Sequence, residues 1–198
     1  DSDDVVGLIK LFHRNIELFD AAEANPSWPQ RLLNRALHLS RRNQRGRSKD
    51  NIAAHYDLGN SLFELFLDES WSYSSAIFDS PDESLESAQR RKTSRLLTLA
   101  KIQPGQRVLE IGCGWGSLAI EAAQTLDCHV TGITLSENQL ALARERAAAA
   151  GVSNRVDFQL CDYREVQGRF DRIVSVEMLE AVGHEFLGTF FRRCDALL

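Results

Sequence analysis

The stretch Val108-Leu109-Glu110-Ile111-Gly112-Cys113-Gly114-Trp115-Gly116-Ser117-Leu118 decides the fold of this 198-residue chain. Its first four residues form a short apolar run of the kind that makes a buried strand. The run breaks into three glycines at alternate positions, and from Ser117 to Leu126 the apolar spacing becomes helical. Strand, glycine turn and helix together open a βαβ unit. Glycines at such a turn permit positive φ and let the backbone approach a ligand that any Cβ would push away. The alternative is a tight turn that holds no ligand.

On the C-terminal side the same alternation continues. Strands are expected at 107–111, 128–133, 155–160 and 171–176, with helices at 117–126, 137–150 and from about 184 onward. Such alternation means right-handed βαβ units and a parallel sheet, with ligands outside the carboxyl ends of the strands. On the N-terminal side, Leu85 to Ile102 reads as a helix leading to Pro104-Gly105, and Glu69 to Ser84 is turn-rich. Asn51 to Asp68 reads as a helix with Leu58, Leu62, Phe63, Leu65 and Phe66 on its apolar face. Residues 1–24 read as another, with Val5, Leu8, Ile9, Phe12, Ile16 and Phe19. The expected division is 1–49, the helical end of an N-terminal domain plus a basic linker, and 50–198, an α/β domain.

Apolar content of 43% and charged content of 26% suit a globular protein. No apolar run approaches the roughly 18 residues of a membrane span. The chain starts at Asp1 and stops within a helical pattern at Leu198, so both ends read as cut and the N-terminus gives no targeting information. Cys113, Cys128, Cys161 and Cys194 lie far apart, which argues against a zinc site or a disulfide framework and suits reduced thiols in the cytoplasm.

The net charge of −5 hides an asymmetry. Arg31, Arg35, Arg41, Arg42, Arg45, Arg47 and Lys49 lie between Pro29 and Lys49 with no acid among them. Leu32, Leu33, Ala36, Leu37 and Leu39 add a helical apolar face. A basic amphipathic helix running into a basic linker suits an anionic membrane surface. Nucleic acid is disfavoured because the rest of the chain is acidic and carries no recognition motif. A solvated interdomain linker is the alternative.

Glu110 bears on the ligand. A dinucleotide pyrophosphate would be repelled by it, whereas the ammonium of a methionine moiety would be held. A dinucleotide site also expects a ribose-binding acid about 20 residues on, at the end of the second strand. That strand, Cys128 to Ile133, ends instead in Thr134-Leu135-Ser136, and the turn spacing is Gly-x-Gly-x-Gly. The balance favours S-adenosylmethionine over NAD. The third strand delivers Asp162 and Tyr163 to the same rim, suited to an adenine amine and ring, or to capping the next turn. The fourth delivers Glu177 and Glu180, two carboxylates that either bind or move something or form an exposed acidic turn.

Several segments together resemble the cyclopropane-fatty-acyl-phospholipid synthases and mycolic acid methyltransferases. They are Asn51 to Asn60, Tyr73-Ser74-Ser75-Ala76, Val108 to Gly116, Gly132 to Gln139 and Asp171 to Gly183. The resemblance implies a class I methyltransferase fold, a Rossmann-like parallel sheet with helices on both faces whose last strands would lie beyond Leu198. It implies an S-adenosylmethionine-dependent enzyme that alkylates a cis double bond in a phospholipid acyl chain through a carbocation, with bound bicarbonate removing the proton. The product would be a ring; a methyl or methylene branch is the alternative, as is a non-catalytic relative that binds lipid or cofactor. A small-molecule methyltransferase would share the glycine turn without needing the basic helix.

By that resemblance the cofactor contacts fall on Tyr73, Ser74, Gly112, Gly114, Thr134, Leu135, Gln139, Asp162 and Tyr163, to which the turn itself adds Glu110, Cys113 and Gly116. Gln139 also completes a capping box with Ser136. Bicarbonate would be held by Glu180 and by the backbone of Ser75, where the family usually has Cys; Ala181 stands where relatives often have His. The family's remaining bicarbonate ligands, a His and a Tyr, would lie beyond Leu198. His55 and Tyr56 would line the acyl pocket or cover the cofactor, or serve structurally. The expected localisation is cytoplasmic and peripheral to the membrane, with a homodimer as the assembly considered.

Overall fold

A computed structural model of the chain describes residues 5–15 and 60–198. The chain divides into two units, Asp1–Arg42 and Asn43–Leu198. In the first, helix α1 (Val5–Arg14) lies within the helix expected over 1–24. The basic stretch 29–49, with His55 and Tyr56, lies outside the described residues.

In the second unit α2 (Asn60–Glu64) and α3 (Leu85–Ala100) precede β1 (Arg107–Ile111), α4 (Ser117–Thr125), β2 (His129–Thr134), α5 (Glu137–Ala149), β3 (Val156–Leu160) and β4 (Arg172–Ser175). After β4 come α6 (Leu179–Val182), a 3-10 turn (His184–Phe186) and α7 (Leu187–Leu197). The four strands are parallel in the order β3-β2-β1-β4. Strand boundaries fall within a residue or two of those expected. The single helix expected from about 184 is instead a 3-10 turn and α7, preceded by α6. Gly183, at φ 85°, breaks the path between them. Of the helix expected over 51–68, residues 60–68 are described; the helix ends at Glu64, and residues 65–68 form a turn instead.

Alternation along β1 divides the core. Val108 packs with Leu118, Ala119, Ala143 and Phe158 on one face, while Leu109 and Ile111 pack with Phe170, Phe190 and Leu197 on the other. Both faces are therefore covered, as a parallel sheet requires. The helix starts are capped by side chains: Ser84 accepts from Ser87 N at α3, and Ser136 accepts from Gln139 N at α5.

The strand order has one consequence for function. The chain winds outward from β1 to β2 to β3, then returns to place β4 on the other side of β1. The crevice outside the carboxyl ends of β1 and β4 is thus the switch point where such sheets bind ligands. The glycine turn closes one side of it. Gly116, at φ 84°, has no room for a side chain, because a Cβ would come within 2.5 Å of Phe158 Cζ. Gly116→Ala is expected to cost about 2–4 kcal/mol, from overpacking and from a left-handed backbone. Urea denaturation of the wild type and the variant measures it.

Candidate active site

Glu110 lies at the heart of the crevice. It is 4% exposed, accepts a hydrogen bond from the Ala119 backbone N–H at the start of α4, and leaves its Oε2 buried with no partner. Burial pushes its pKa up to about 8. A buried carboxylate oxygen without a donor is costly unless something outside the chain supplies one. The turn that follows β1 leaves space for that group. Gly112, Gly114 and Gly116 all take positive φ, and a Cβ at Gly114 would meet nothing within 4 Å. The Gly112 and Cys113 N–H groups both donate to Ile133 O, which fixes the start of the turn. Cys113 is buried, and burial beside Glu110 drives its thiol well above the ordinary range, so it is no nucleophile.

At the end of β2, Thr134 and Gln139 are both buried and bonded to each other. Thr134 Oγ1 donates to Gln139 Oε1 at 2.7 Å, and Ser136 N donates to Thr134 Oγ1 at 3.1 Å. The capping box is half made: Gln139 N reaches Ser136 Oγ, but the Gln139 side-chain oxygen belongs to Thr134. The Gln139 amide is thereby left to donate. Leu135 is half-buried between them.

At the end of β3, Asp162 caps its own turn. Its Oδ1 accepts from Arg164 N at 2.9 Å and Arg164 Nε at 2.8 Å, and its Oδ2 accepts from Arg164 Nη2 at 2.5 Å. Tyr163 packs edge-on against Phe190, 5.2 Å between ring centroids, with the Arg164 guanidinium over its face. Both side chains thus take structural partners, the capping role open to Asp162 being the one observed.

The segment Ser70–Ala76 runs across the crevice as a strap. At one end Arg146, from α5, donates to Ser70 O at 2.8 Å and to Trp115 O at 2.7 Å, and the Ser117 hydroxyl donates to Ser70 O. Trp71 packs against Trp115, and Tyr73 against Phe63. The Trp115 indole N–H donates to Asn60 Oδ1. At the other end Ser75 N and Ser75 Oγ donate to Glu177 Oε1 at 2.8 and 2.5 Å. The expectation for Ser75 was to hold bicarbonate together with Glu180. Glu177, three residues before Glu180, is the carboxylate that reaches these donors, and both glutamates are exposed. The reason is local: Glu177 sits at φ 47°, a left-handed turn that ends the β4 path before α6 begins.

Three comparisons bear on this arrangement. A family model described as mycolic acid cyclopropane synthetase matches residues 43–198. The chain belongs to that family. It is 46% identical over 180 residues to the tuberculostearic acid methyltransferase UfaA1 of Mycobacterium tuberculosis, covering 87% of this chain and 39% of that protein. It is 44% identical over 141 residues to the cyclopropane-fatty-acyl-phospholipid synthase of Escherichia coli K12, covering 71% and 36%. Among solved structures it resembles the mycolic acid cyclopropane synthase CmaA1 in complex with SAH and CTAB, at TM-score 0.72 and 36% identity, covering 76% of this chain and 53% of that one. The chain therefore spans well under half the length of these curated relatives. The mycolic acid cyclopropane synthetase family and its class I methyltransferase fold are those expected from the sequence.

Four further residues of this family member complete the site. Trp115, Arg146, Gln89 and Lys92 are all buried or half-buried around the strap. Trp115 lies inside the glycine turn, where a large side chain between glycines was a readable signal. Arg146, Gln89 and Lys92 sit in helices and carried none.

Proposed function

We propose that the protein is an S-adenosylmethionine-dependent methyltransferase that alkylates a cis double bond within the acyl chains of membrane phospholipids. The observation that carries this is the buried, half-partnered Glu110 carboxylate beside a glycine turn at the switch point of the sheet. Family membership and the SAH named with the related CmaA1 structure support the cofactor. Bound there, S-adenosylmethionine supplies an electrophilic methyl group on a sulfonium.

The chain's own residues divide the work. Glu110 pairs with the ammonium of the methionine end, and Gly114 leaves the backbone open to it. The Gln139 amide, with its oxygen engaged by Thr134, donates to a ribose hydroxyl. Leu135, Asp162 and Tyr163 border the adenine end, and Tyr73 and Ser74 border the cofactor from the strap. An alkene is a weak nucleophile and a carbocation is captured by water, so the site must be apolar and dry. Phe63, Trp71, Tyr73 and Trp115 form a linked aromatic wall suited to that task.

Bicarbonate would compete here with a carboxylate of the chain itself. The Ser75 donors expected to hold it are bonded to the Glu177 carboxylate, and Glu177 and Glu180 are both exposed. Its contact with Ser75 makes Glu177 a proton acceptor in reach of the strap. Loss of a proton from the newly added methyl closes a ring, and a hydride shift before proton loss leaves a branch. Both kinds of relative are represented, a cyclopropane synthase and a tuberculostearic acid methyltransferase.

The experiment uses the full-length protein with methyl-labelled S-adenosylmethionine and vesicles of unsaturated phospholipid, and acyl chains are analysed by mass spectrometry. A gain of one CH₂ in the acyl chain supports the reading, and fragmentation separates ring from branch. Cofactor binding with no label in lipid overturns it in favour of a small-molecule methyltransferase or a binding protein.

Among the described residues no helix is long and apolar enough to cross a membrane. The basic stretch 29–49 is suited to peripheral contact with an anionic phospholipid surface. Charge reversal at Arg41, Arg42, Arg45 and Arg47 is expected to weaken binding to anionic vesicles at least tenfold in low salt, and the difference shrinks as salt screens it. Vesicle co-sedimentation across a salt series measures it, and salt-insensitive binding unchanged by the variant removes the membrane role.

A further inference from the structure

The mechanism above uses neither Gln89 nor Lys92, yet these are the two polar side chains that α3 buries against the strap. Lys92 is 7% exposed. Its Nζ donates to the Ser74 hydroxyl and, at 2.5 Å, to Gln89 Oε1. Its hydrogen-bond partners are thus a hydroxyl and an amide rather than a carboxylate. Gln89 in turn donates through Nε2 to Ser74 O at 2.7 Å and Ser72 O at 3.3 Å. Burial pushes the Lys92 ammonium below the ordinary lysine range, opposed by the more distant charges of Glu177 and Asp68.

Burying an ammonium against neutral partners is unfavourable for stability, and a methionine of similar length would fill the space without that penalty. The geometry gives the charge a use. Ser74 is gripped from α3 by a cation, and the next residue, Ser75, is gripped from the end of β4 by the Glu177 anion. Two successive residues are thus pinned from opposite walls of the crevice. Cutting the Lys92 grip frees the Ser74 side chain, and the strap is then held near that end only by the Gln89 bonds to Ser72 O and Ser74 O and by Glu177.

We propose that Lys92 is a positioning residue, which acts through Ser74 to hold the 72–75 strap in register so that Ser75 meets Glu177 at the reacting end of the site. This rests on the methyltransferase reading above. Well-placed reacting groups lose on the order of 10²-fold in rate when displaced by about 1 Å. The effect predicted for Lys92 is therefore larger on the rate than on cofactor affinity, because Glu110 and Gln139 hold the cofactor without the strap, whereas Ser74 only borders it.

The test uses Lys92→Met in the full-length protein at a temperature where wild type and variant are both folded. The expected result has three parts. The kcat for lipid alkylation falls at least thirtyfold, S-adenosylhomocysteine affinity falls by less than tenfold, and chymotrypsin cuts between Trp71 and Phe78 at least tenfold faster. A kcat within threefold of wild type overturns the proposal, as does unchanged cleavage of the strap. A lower Tm with kcat intact assigns Lys92 a purely structural role and overturns it as well. If Lys92→Met does not fold, Gln89→Met removes the bonds to Ser72 O and Ser74 O and is held to the same criteria. If wild type alkylates no lipid, the methyltransferase reading fails on its own, and strap cleavage alone decides whether Lys92 holds the strap.

Discussion

Glu110→Gln is expected to weaken S-adenosylhomocysteine binding by roughly ten- to a hundredfold while making the ligand-free protein more stable at neutral and alkaline pH. The first effect follows from losing a charge-assisted bond to the ligand ammonium, a contribution of about 1.5–3 kcal/mol. The second follows from linkage. The folded pKa of Glu110 is about 8 against 4.5 for the free side chain, so between those values the folded protein keeps a proton that the unfolded chain has lost. Stability therefore falls as pH rises from about 4.5 to about 8, by an amount on the order of 5 kcal/mol at about 1.36 kcal/mol per unit. A glutamine cannot ionise and removes that slope. Binding has the opposite sign: the ligand ammonium needs the carboxylate ionised, so complex formation below pH 8 releases a proton and affinity rises with pH up to about 8. Titration calorimetry in two buffers of different ionisation enthalpy measures the proton, and urea midpoints from pH 5 to 9 measure the stability. Equal affinity in wild type and variant, with no proton released, would remove Glu110 from the cofactor site.

That a stability cost of this kind sits at Glu110 and not elsewhere on the sheet is itself informative. Buried, strongly shifted groups gather where a ligand completes them. The sheet around it was legible because its signals are local: a four-residue apolar run, glycines at alternate positions, and Ser136 before an acid-led helix. Each strand and turn could be read within about ten residues of sequence. The strap was not legible in the same way. Ser75 and Glu177 are 102 positions apart, and Gln89 and Lys92 occupy helix positions whose polar character reads as solvent-facing. Their burial is created by the strap folding over them, which no helical periodicity records. The contact between Ser75 and Glu177 was hidden for another reason. Left-handed backbone is expected of glycine or asparagine, so a glutamate at φ 47° gives no warning that the chain turns there and aims its carboxylate at the strap. Asp162 shows the converse: two readings were open, and the Arg164 pair settles which contact the free chain makes.

Glu177→Gln tests the chemistry itself. The variant keeps the side-chain oxygen that accepts from Ser75 N and Oγ, so the strap stays in place, but it removes the ability to take up a proton. Lipid alkylation is expected to fall by about 10²–10⁴-fold, the usual contribution of a positioned general base, with S-adenosylhomocysteine affinity within threefold of wild type. Glu180→Gln, on the exposed face of α6, is expected to retain at least a third of the activity. The two substitutions together discriminate between an internal carboxylate and an external anion at the Ser75 donors. If Glu177 is the acceptor, the wild-type rate also survives removal of dissolved carbon dioxide and is not restored to Glu177→Gln by added bicarbonate. If Glu180→Gln abolishes alkylation while Glu177→Gln does not, or if the rate of wild type tracks bicarbonate concentration, the carboxylate on Ser75 is a latch that a bound anion displaces. The strap would then have two states, one closed on Glu177 and one opened by the anion. Arg146 and Ser117 would hold its Ser70 end fixed in both, because their bonds to Ser70 O do not involve the Glu177 side of the crevice.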